Sequence, residues 1–328
     1  MSPDARRLAI DIVVPVFNEE AVVAEFHRRL MDVVRPLRRE HDVRICYVDD
    51  GSRDHTADEL AKLAADDAGV TVLELSRNFG HQAALTAGLD RAEGDAVIML
   101  DGDGQHPPAL IRDMIDLHRA GWEVVLTQRV AAELPRLKRW TSAAFYRLLA
   151  LIGDTRITPG SADYRLVSRP VLDALRGMRE YHRFLRGMVA WAGFRTVVLP
   201  YTQPPRLGGR AKYSPARMLR FAADATFSFS LVPVAIALAV GVGFLLLAAA
   251  EAVYVLSFWA TGRQHLLVPG WSSLMFMILI VGASLMIAVG LVGIYVGYIF
   301  QEVKRRPVYV VRAVHGAGGP PERGGGDA

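Results

Sequence analysis

Short apolar runs alternate with amphipathic stretches from Leu8 to Gln128. Leu8–Val16, Val43–Val48, Val70–Leu75, Asp95–Leu100 and Glu123–Gln128 read as buried strands, being short, apolar and rich in β-branched residues. Helices are predicted between them. The first starts at Asn18, taken as its N-cap with Glu19 and Glu20 in the first turn, and stops at Pro36. The second is capped by Ser52 or Asp54 and runs to Ala68; the third covers His81 to Ala92 and is closed by Gly94; the fourth covers Ala109–Arg119. Strands alternating with helices predict an α/β fold with a mostly parallel, doubly wound sheet. Ligands of such sheets bind beyond the carboxyl ends of the strands.

Further on, Pro135–Leu151 reads as a basic amphipathic helix. Gly160–Arg165 reads as a polar loop, Val171–Leu175 and Phe184–Trp191 as short helices, and Phe194–Leu199 as a strand. Pro204–Tyr213 is a glycine-rich loop carrying Arg206, Arg210 and Lys212, suited to closing over a phosphate. Taken alone, a solvated basic loop explains it as well.

The pattern then changes. Between Ser228 and Phe300 the only Asp, Glu, Lys or Arg residues are Glu251 and Arg263. Leu231–Trp259 and Trp271–Phe300 are each long enough to cross a bilayer, for which roughly 20 residues suffice. Trp259, Trp271 and Tyr298 stand near their ends, as interfacial aromatics do. Ser214–Phe227 is amphipathic and predicts an interfacial helix. Cations flank the spans on one side: Arg210, Lys212, Arg217 and Arg220 before the first, Lys304-Arg305-Arg306 after the second. That asymmetry predicts a multi-pass membrane protein with the large domain and both termini cytoplasmic. The expected organisation is a catalytic domain over 1–213, a juxtamembrane helix over 214–230, spans within 231–300, and a basic tail over 301–328. That tail is disordered from Ala313, where Gly and Pro dominate.

Composition agrees with this division. Hydrophobic residues make up 52% of the chain, high for a purely soluble protein, and the excess lies in the two spans. The net charge of +4 comes without a Lys/Arg run interleaved with aromatics, which argues against nucleic acid as partner. Cys46, the single cysteine, sits in an apolar run and reads as a core residue; one thiol excludes a disulfide framework. The first apolar run, broken by Asp11 and Pro15, does not read as a signal peptide.

The strongest candidate chemistry lies where one apolar run ends, at Asp101-Gly102-Asp103-Gly104-Gln105-His106-Pro107-Pro108. Strand alternation would set Asp101 and Asp103 on one side, with the Gln105 amide as a third oxygen. Such a set suits Mg²⁺ or Mn²⁺. An Asp/Gly turn explains the stretch equally well in isolation. A parallel sheet, however, puts four polar clusters on one rim: Asn18-Glu19, Asp49-Asp50, Arg77-Asn78 and Asp101-x-Asp103. No G-x-G-x-x-G follows the first strand and no P-loop motif is present, so nucleotide binding would use carboxylates and a metal.

These motifs resemble family 2 of the inverting glycosyltransferases, with the GT-A fold. Within that family they are most similar to polyprenyl-phosphate glycosyltransferases such as dolichol-phosphate mannose synthase and the bactoprenol glucosyltransferases. The resemblance is carried by Val14-Pro-Val-Phe-Asn-Glu-Glu20, Val48-Asp-Asp-Gly-Ser-Arg-Asp-His-Thr56 and Arg77-Asn-Phe-Gly-His-Gln-Ala-Ala-Leu-Thr-Ala-Gly-Leu89. Asp101-x-Asp-x-Gln-x-Pro-Pro108, Asp163-Tyr-Arg-Leu166 and Arg206-x-x-Gly-x-x-Lys-Tyr213 follow in family order, ahead of the two spans.

The resemblance implies site roles. Pro15, Phe17, Glu19, Asp49 and Asp50 would hold the base and ribose of a nucleotide-sugar, with Asp101 and Gly102 beside it. Asp101, Asp103 and Gln105 would surround the metal on the donor diphosphate. Arg206 and Lys212 would bind phosphate, Arg129 and Arg139 the acceptor phosphate, and Asp163 would be the catalytic carboxylate. The family usually has Ala or Val at Gly102, Leu at Gly104 and Asp at His106, which predicts a looser metal loop here, and Ser or Thr at Ala211, which predicts one phosphate hydrogen bond fewer on the basic loop. Related proteins imply a homo-oligomer through the spans, with Glu251 as a contact.

The implied reaction is metal-dependent, inverting transfer from a UDP-glucose-like or GDP-mannose-like donor to a polyprenyl phosphate. Three alternatives stand beside it. One is transfer of a modified sugar such as aminoarabinose. A second is a processive polysaccharide synthase, for which Arg136-Leu-Lys-Arg139-Trp140 supplies only the Arg-Trp half of the expected motif. The third is a non-catalytic, membrane-anchored nucleotide-sugar binder.

Overall fold

The computed structural model describes residues 7–130, 161–181, 183–202, 232–262 and 270–316. Strands β1 (Ala9–Val16), β2 (Asp42–Asp49), β3 (Val70–Leu75), β4 (Ala96–Met99) and β5 (Val124–Arg129) fall where apolar runs predict them. Helices α1 (Val23–Leu37), α2 (Thr56–Asp66), α3 (His81–Arg91) and α4 (Leu110–Arg119) separate them. Then follow β6 (Ser161–Ser168), α5 (Arg169–Gly177), α6 (Leu185–Trp191), β7 (Thr196–Tyr201), α7 (Val232–Ala260), α8 (Trp271–Val303) and β8 (Val311–Gly316).

The eight strands form one sheet in the order β7-β5-β6-β4-β1-β2-β3-β8. β4, β1, β2 and β3 are parallel, as are β5 and β7; β6 runs antiparallel between β4 and β5, and β8 antiparallel on β3. The sheet is therefore α/β and mostly parallel. Ile10, Ile12 and Val14 of β1 are fully buried beneath α1, whose Val23, Phe26, Leu30, Val34 and Leu37 make a helical stripe. Each such side chain contributes about 1.5–3 kcal/mol by leaving water. Asp11 is the polar exception in β1. Its carboxylate accepts the Glu93 and Gly94 N–H groups and fixes the turn that feeds β4.

Several sequence expectations are corrected. Asn18 does not cap α1, which begins at Val23; its φ of 51° is left-handed, and its Oδ1 accepts the Arg53 N–H at 2.9 Å. Pro36 lies inside α1 near its end rather than stopping it. The expected loop Gly160–Arg165 is mostly strand: Ser161–Ser168 joins the middle of the sheet. Alternation did not betray it, because Ala162, Tyr164, Leu166 and Val167 are buried together with Asp163 and Arg165. Val311–Gly316, partly inside the expected disordered tail, closes the sheet edge beside β3. There Arg312 Nη1 pairs with Glu74 at 3.0 Å. A backbone ladder, unlike a packed core, needs no apolar run to form. Cys46 is partly buried on β2, and burial pushes its thiol up to about 12.

The chain divides into two compact units, one holding the sheet, including β8, and the other α7 and α8. α7 and α8 have 29 and 33 residues and pack against each other. Among the described residues, Ile280–Val303 is the stretch long and apolar enough to cross a membrane, and Leu285, Met286 and Ile287 on it are exposed. The segments 135–151, 204–213 and 214–227 lie outside the described residues.

Candidate active site between the ends of β4 and β6

The rim where the parallel strands end carries three kinds of polar cluster. At the ends of β1 and β2 the loops lace to each other. Asn18 N–H donates to Ser52 Oγ, Glu19 N–H to Thr56 Oγ1 and His55 N–H to Glu20 Oε2, at 2.9, 2.9 and 3.0 Å. Asp49 is buried and accepts both the N–H and the hydroxyl of Ser52. Asp50, also buried, accepts Phe79 N–H, Gly80 N–H and Asn78 Nδ2 at 2.7, 2.9 and 2.9 Å. Burial raises the pKa of both carboxyls, against the pull of these donors. Asp50 thus ties β2 to the loop that leads into α3. Pro15 is buried, and Phe17 and Glu19 are partly exposed at the same end.

The second cluster joins β4 to β6. Their antiparallel register pairs Met99 with Arg165, and continued by two residues it sets Asp101 opposite Asp163. Between them stands His81, the first residue of α3. Its Nε2 lies 3.4 Å from Asp101 Oδ1 and 3.6 Å from Asp163 Oδ2. Burial opposes charge on this imidazole, but Asp101 and Asp163 outweigh it and raise its pKa to about 9. Asp163 is buried among cations. Arg186 Nε and Nη2 donate to its two oxygens at 2.8 and 2.7 Å, and Arg165 Nη2 donates to Oδ1 at 2.9 Å. Burial alone would raise the Asp163 pKa; His81, Arg186 and Arg165 hold it well below the usual carboxylate range.

β4 ends at Met99, so strand alternation does not reach Asp101 and Asp103. The chain turns there instead, and Gln105 N–H donates to Asp103 Oδ1 at 3.0 Å. Both glycines have a steric reason to stand in this turn. A Cβ on Gly102 would lie 2.7 Å from Val16 Cγ1, and Gly104 has a left-handed φ of 75°. Both glycines fit the positions they occupy.

The third cluster is the floor. His106 is fully buried, stacked on Tyr164 at 5.1 Å and edge-on to Tyr201 at 6.1 Å. Its Nδ1 accepts the Asp101 N–H at 3.2 Å, which leaves the proton on Nε2, buried without a partner. Burial lowers its pKa. His106 therefore supports the loop from below and precedes α4, which starts at Leu110. Tyr164 donates to Pro107 O at 3.1 Å, and Arg129, exposed at the end of β5, donates to Tyr201 Oη at 3.2 Å.

One observation bears on a metal. Asp101 Oδ1 is buried and accepts no hydrogen bond. A buried carboxylate oxygen without a donor is costly unless a cation meets it, and the charged His81 imidazole 3.4 Å away offsets that cost only in part, with no hydrogen bond made. Among the described residues no three His, Cys, Asp or Glu side chains gather into a cage. Two carboxylates and an amide from one loop, with phosphate oxygens of a substrate to complete the shell, are instead the donor set Mg²⁺ or Mn²⁺ takes.

Of the site residues expected from sequence, Asp101 and Asp163 are brought together. Asp103, Gln105 and Gly102 share the same loop, and Arg129 stands on the same rim. Asp49 and Asp50 are engaged in loop architecture. Arg139, Arg206 and Lys212 lie outside the described residues. Sequence reasoning assigned no role to His81 or Arg165, although both stand inside motifs it singled out. It missed Arg186, for which no local pattern gives a signal.

Comparison with known proteins adds the following. The family model described as glycosyl transferase family 2 matches residues 11–176. A protein of Synechocystis sp., named an uncharacterized glycosyltransferase, is 36% identical over 310 residues, covering 94% of this chain and 96% of its own. A bactoprenol glucosyl transferase of Shigella phage SfII is 34% identical over 313 residues, covering 94% of this chain and 99% of its own. A mannosyltransferase of Pyrobaculum calidifontis, solved with GDP-Man and Mn²⁺, covers 88% of each chain at 18% identity. Its TM-score of 0.45 is too low to argue from.

Proposed function

The chain belongs to glycosyl transferase family 2 and is a glycosyltransferase; on that premise we propose that it moves a sugar from a nucleotide-sugar to a polyprenyl phosphate at a membrane. The observation that carries the site assignment is the meeting of Asp101 and Asp163 on either side of His81 Nε2, at 3.4 and 3.6 Å, with Asp101 Oδ1 buried and accepting no hydrogen bond. The relatives named for bactoprenol glucosyl transfer support a lipid phosphate as acceptor.

Asp101, Asp103 and Gln105 would hold Mg²⁺ or Mn²⁺, which when bound neutralises charge on the leaving diphosphate. Pro15, Phe17, Glu19, Asp49 and Asp50 would flank the base and ribose, so their lacing fixes the donor's place. Arg206 and Lys212 would add charge-assisted hydrogen bonds to phosphate. The acceptor oxygen would displace the diphosphate at the anomeric carbon in one step and invert it, giving a β-linked product from an α-linked donor. A phosphomonoester with a second pKa near ~6 is largely dianionic at pH 7 and needs little help from a base. Asp163, held by two guanidiniums, would orient rather than abstract a proton. Arg129 and Arg139 would meet the acceptor phosphate. α7 and α8 would both span the membrane, with 214–230 at its surface and both termini cytoplasmic. A homo-oligomer through the spans would complete the assembly.

The test uses the full chain in vesicles containing polyprenyl phosphate, screened with UDP-glucose, GDP-mannose and aminoarabinose donors, with and without divalent ion. Metal-dependent release of nucleoside diphosphate with one glycosyl lipid formed per release is expected. Release without lipid acceptor, growth of a polymer, or no release with any donor would each refute the proposal.

A further inference from the structure

Asp163 has three cationic neighbours, and one of them differs from the others. Arg165 reaches a single oxygen, and its side chain is 2% exposed, closed inside the sheet. His81 stands 3.6 Å away and is shared with Asp101. Arg186 engages both oxygens with a fork, Nε to Oδ1 and Nη2 to Oδ2, and its side chain is 31% exposed. A fork of this kind fixes the plane of the carboxylate as well as its place, which a point charge does not do.

The fork is itself held. Arg186 lies in the first turn of α6, whose Leu185, Met188 and Val189 are buried. The Leu185 N–H donates to Gln82 Oε1 at 3.1 Å, and Gln82 follows His81 in α3. The start of α6 and the start of α3 are thereby fixed to each other. The guanidinium on Asp163 and the imidazole between Asp163 and Asp101 share one support.

Resting on the transferase assignment above, we propose that Arg186 is a positioning residue for the transfer, acting through Asp163 by setting the orientation of its carboxylate at the rim between β4 and β6. In this reading the substrate is oriented by Asp163, and Arg186 acts on the substrate only through that carboxylate. Misplacement of a reacting or orienting group by about 1 Å costs on the order of a hundredfold in rate, and the loss falls on the chemical step rather than on donor binding.

The experiment is a double-mutant cycle on the full chain in polyprenyl-phosphate vesicles, with Arg186→Lys and Arg186→Gln each made alone and with Asp163→Asn. Thermal unfolding of every variant accompanies it, and Arg186→Lys serves if the glutamine variant fails to fold. Arg186→Lys is expected to lower kcat by about 10- to 100-fold and to leave KM for the nucleotide-sugar within about twofold. In the Asp163→Asn background the same change is expected to alter kcat by less than about twofold, because the group it acts through is gone. An undiminished loss in that background would mean that Arg186 meets substrate itself and would overturn the proposal. So would a wild-type kcat in Arg186→Lys. A wild-type chain that makes no glycosyl lipid would instead refute the transferase assignment, and this proposal with it.

Discussion

Two carboxylate clusters share the rim of one sheet and are built on opposite principles. At the ends of β1 and β2, the buried acids are fully occupied by their own chain: Asp49 with Ser52, Asp50 with three donors from the 78–80 loop. Between β4 and β6, Asp163 is crowded with cations while Asp101 keeps a buried oxygen that accepts no hydrogen bond. The first arrangement fixes loops against which a ligand can lie. The second leaves an acceptor open, the Asp101 oxygen, beside charges that are otherwise paired. Composition does not separate them, since both are Asp-rich turns after apolar strands; what each oxygen already accepts does.

This contrast is tested most sharply by Asp101→Ala and Asp103→Ala. Each is expected to lower metal-dependent transfer by about a thousandfold, the scale of losing one preorganised electrostatic contact in a transition state. The melting temperature of Asp101→Ala measured without divalent ion should change little, because the relief of a buried oxygen that accepts no hydrogen bond offsets the loss of its charge contact with His81. A clear fall in melting temperature would place Asp101 with the structural acids.

Asp163→Asn should act on stability as well. Removing one member of a buried ion pair costs about 3–5 kcal/mol, since Arg165 remains buried without it. The dependence on pH has a definite sign. The folded pKa of Asp163 is depressed, so its contribution is complete above the ordinary carboxylate pKa of about 4 and is lost as pH falls toward the lower folded value. Denaturant titrations should show the gap between wild type and Asp163→Asn widest at neutral pH and narrowing in acid. A gap that grows in acid would contradict the depressed pKa.

Asp50→Ala belongs to the other cluster. It strands two backbone N–H groups and one amide, at about 2–3 kcal/mol, and should lower the melting temperature and loosen the loop that carries His81. Equal amide exchange at residues 78–81 in wild type and variant would sink that role. Gly102→Ala is expected to cost about 1–2 kcal/mol, because the added methyl meets Val16, a stiff β-branched neighbour. Arg312→Ala, which breaks an exposed pair on β8, should change stability by less than about 1 kcal/mol. A larger loss, read from the same denaturant curves, would show that β8 holds the sheet through side chains and not through its backbone ladder.

Much of the fold was legible before any coordinates. Val70–Leu75 falls where its apolar run predicts a strand, and α3 and α4 differ from their predicted limits by one residue. Periodicity reports burial, and these elements are made by burial. Ser161–Ser168 escaped because Asp163 and Arg165 break its apolar pattern; they are buried as an ion pair, with Arg186 also on Asp163. Val311–Gly316 escaped because it is held by backbone hydrogen bonds on an edge, which ask little of its side chains. The glycines at 102 and 104, which depart from the family pattern and predicted slack, are positions where close packing and a left-handed turn require them.

The sequence by itself determined which residues are available for chemistry: an acidic loop after one strand, an Asp-Tyr-Arg motif, a basic loop, and two long apolar segments. Those are properties of residue type and spacing, and they survive any arrangement of the chain. Tertiary structure decided which of them act together. The antiparallel pairing of β4 with β6 brings the loop after β4 to the start of β6, and the joined starts of α3 and α6 bring His81 between Asp101 and Asp163 and Arg186 onto Asp163. Residues separated by tens of positions meet there because strand pairing and helix packing close those distances, and no local pattern in the chain encodes a contact of that range.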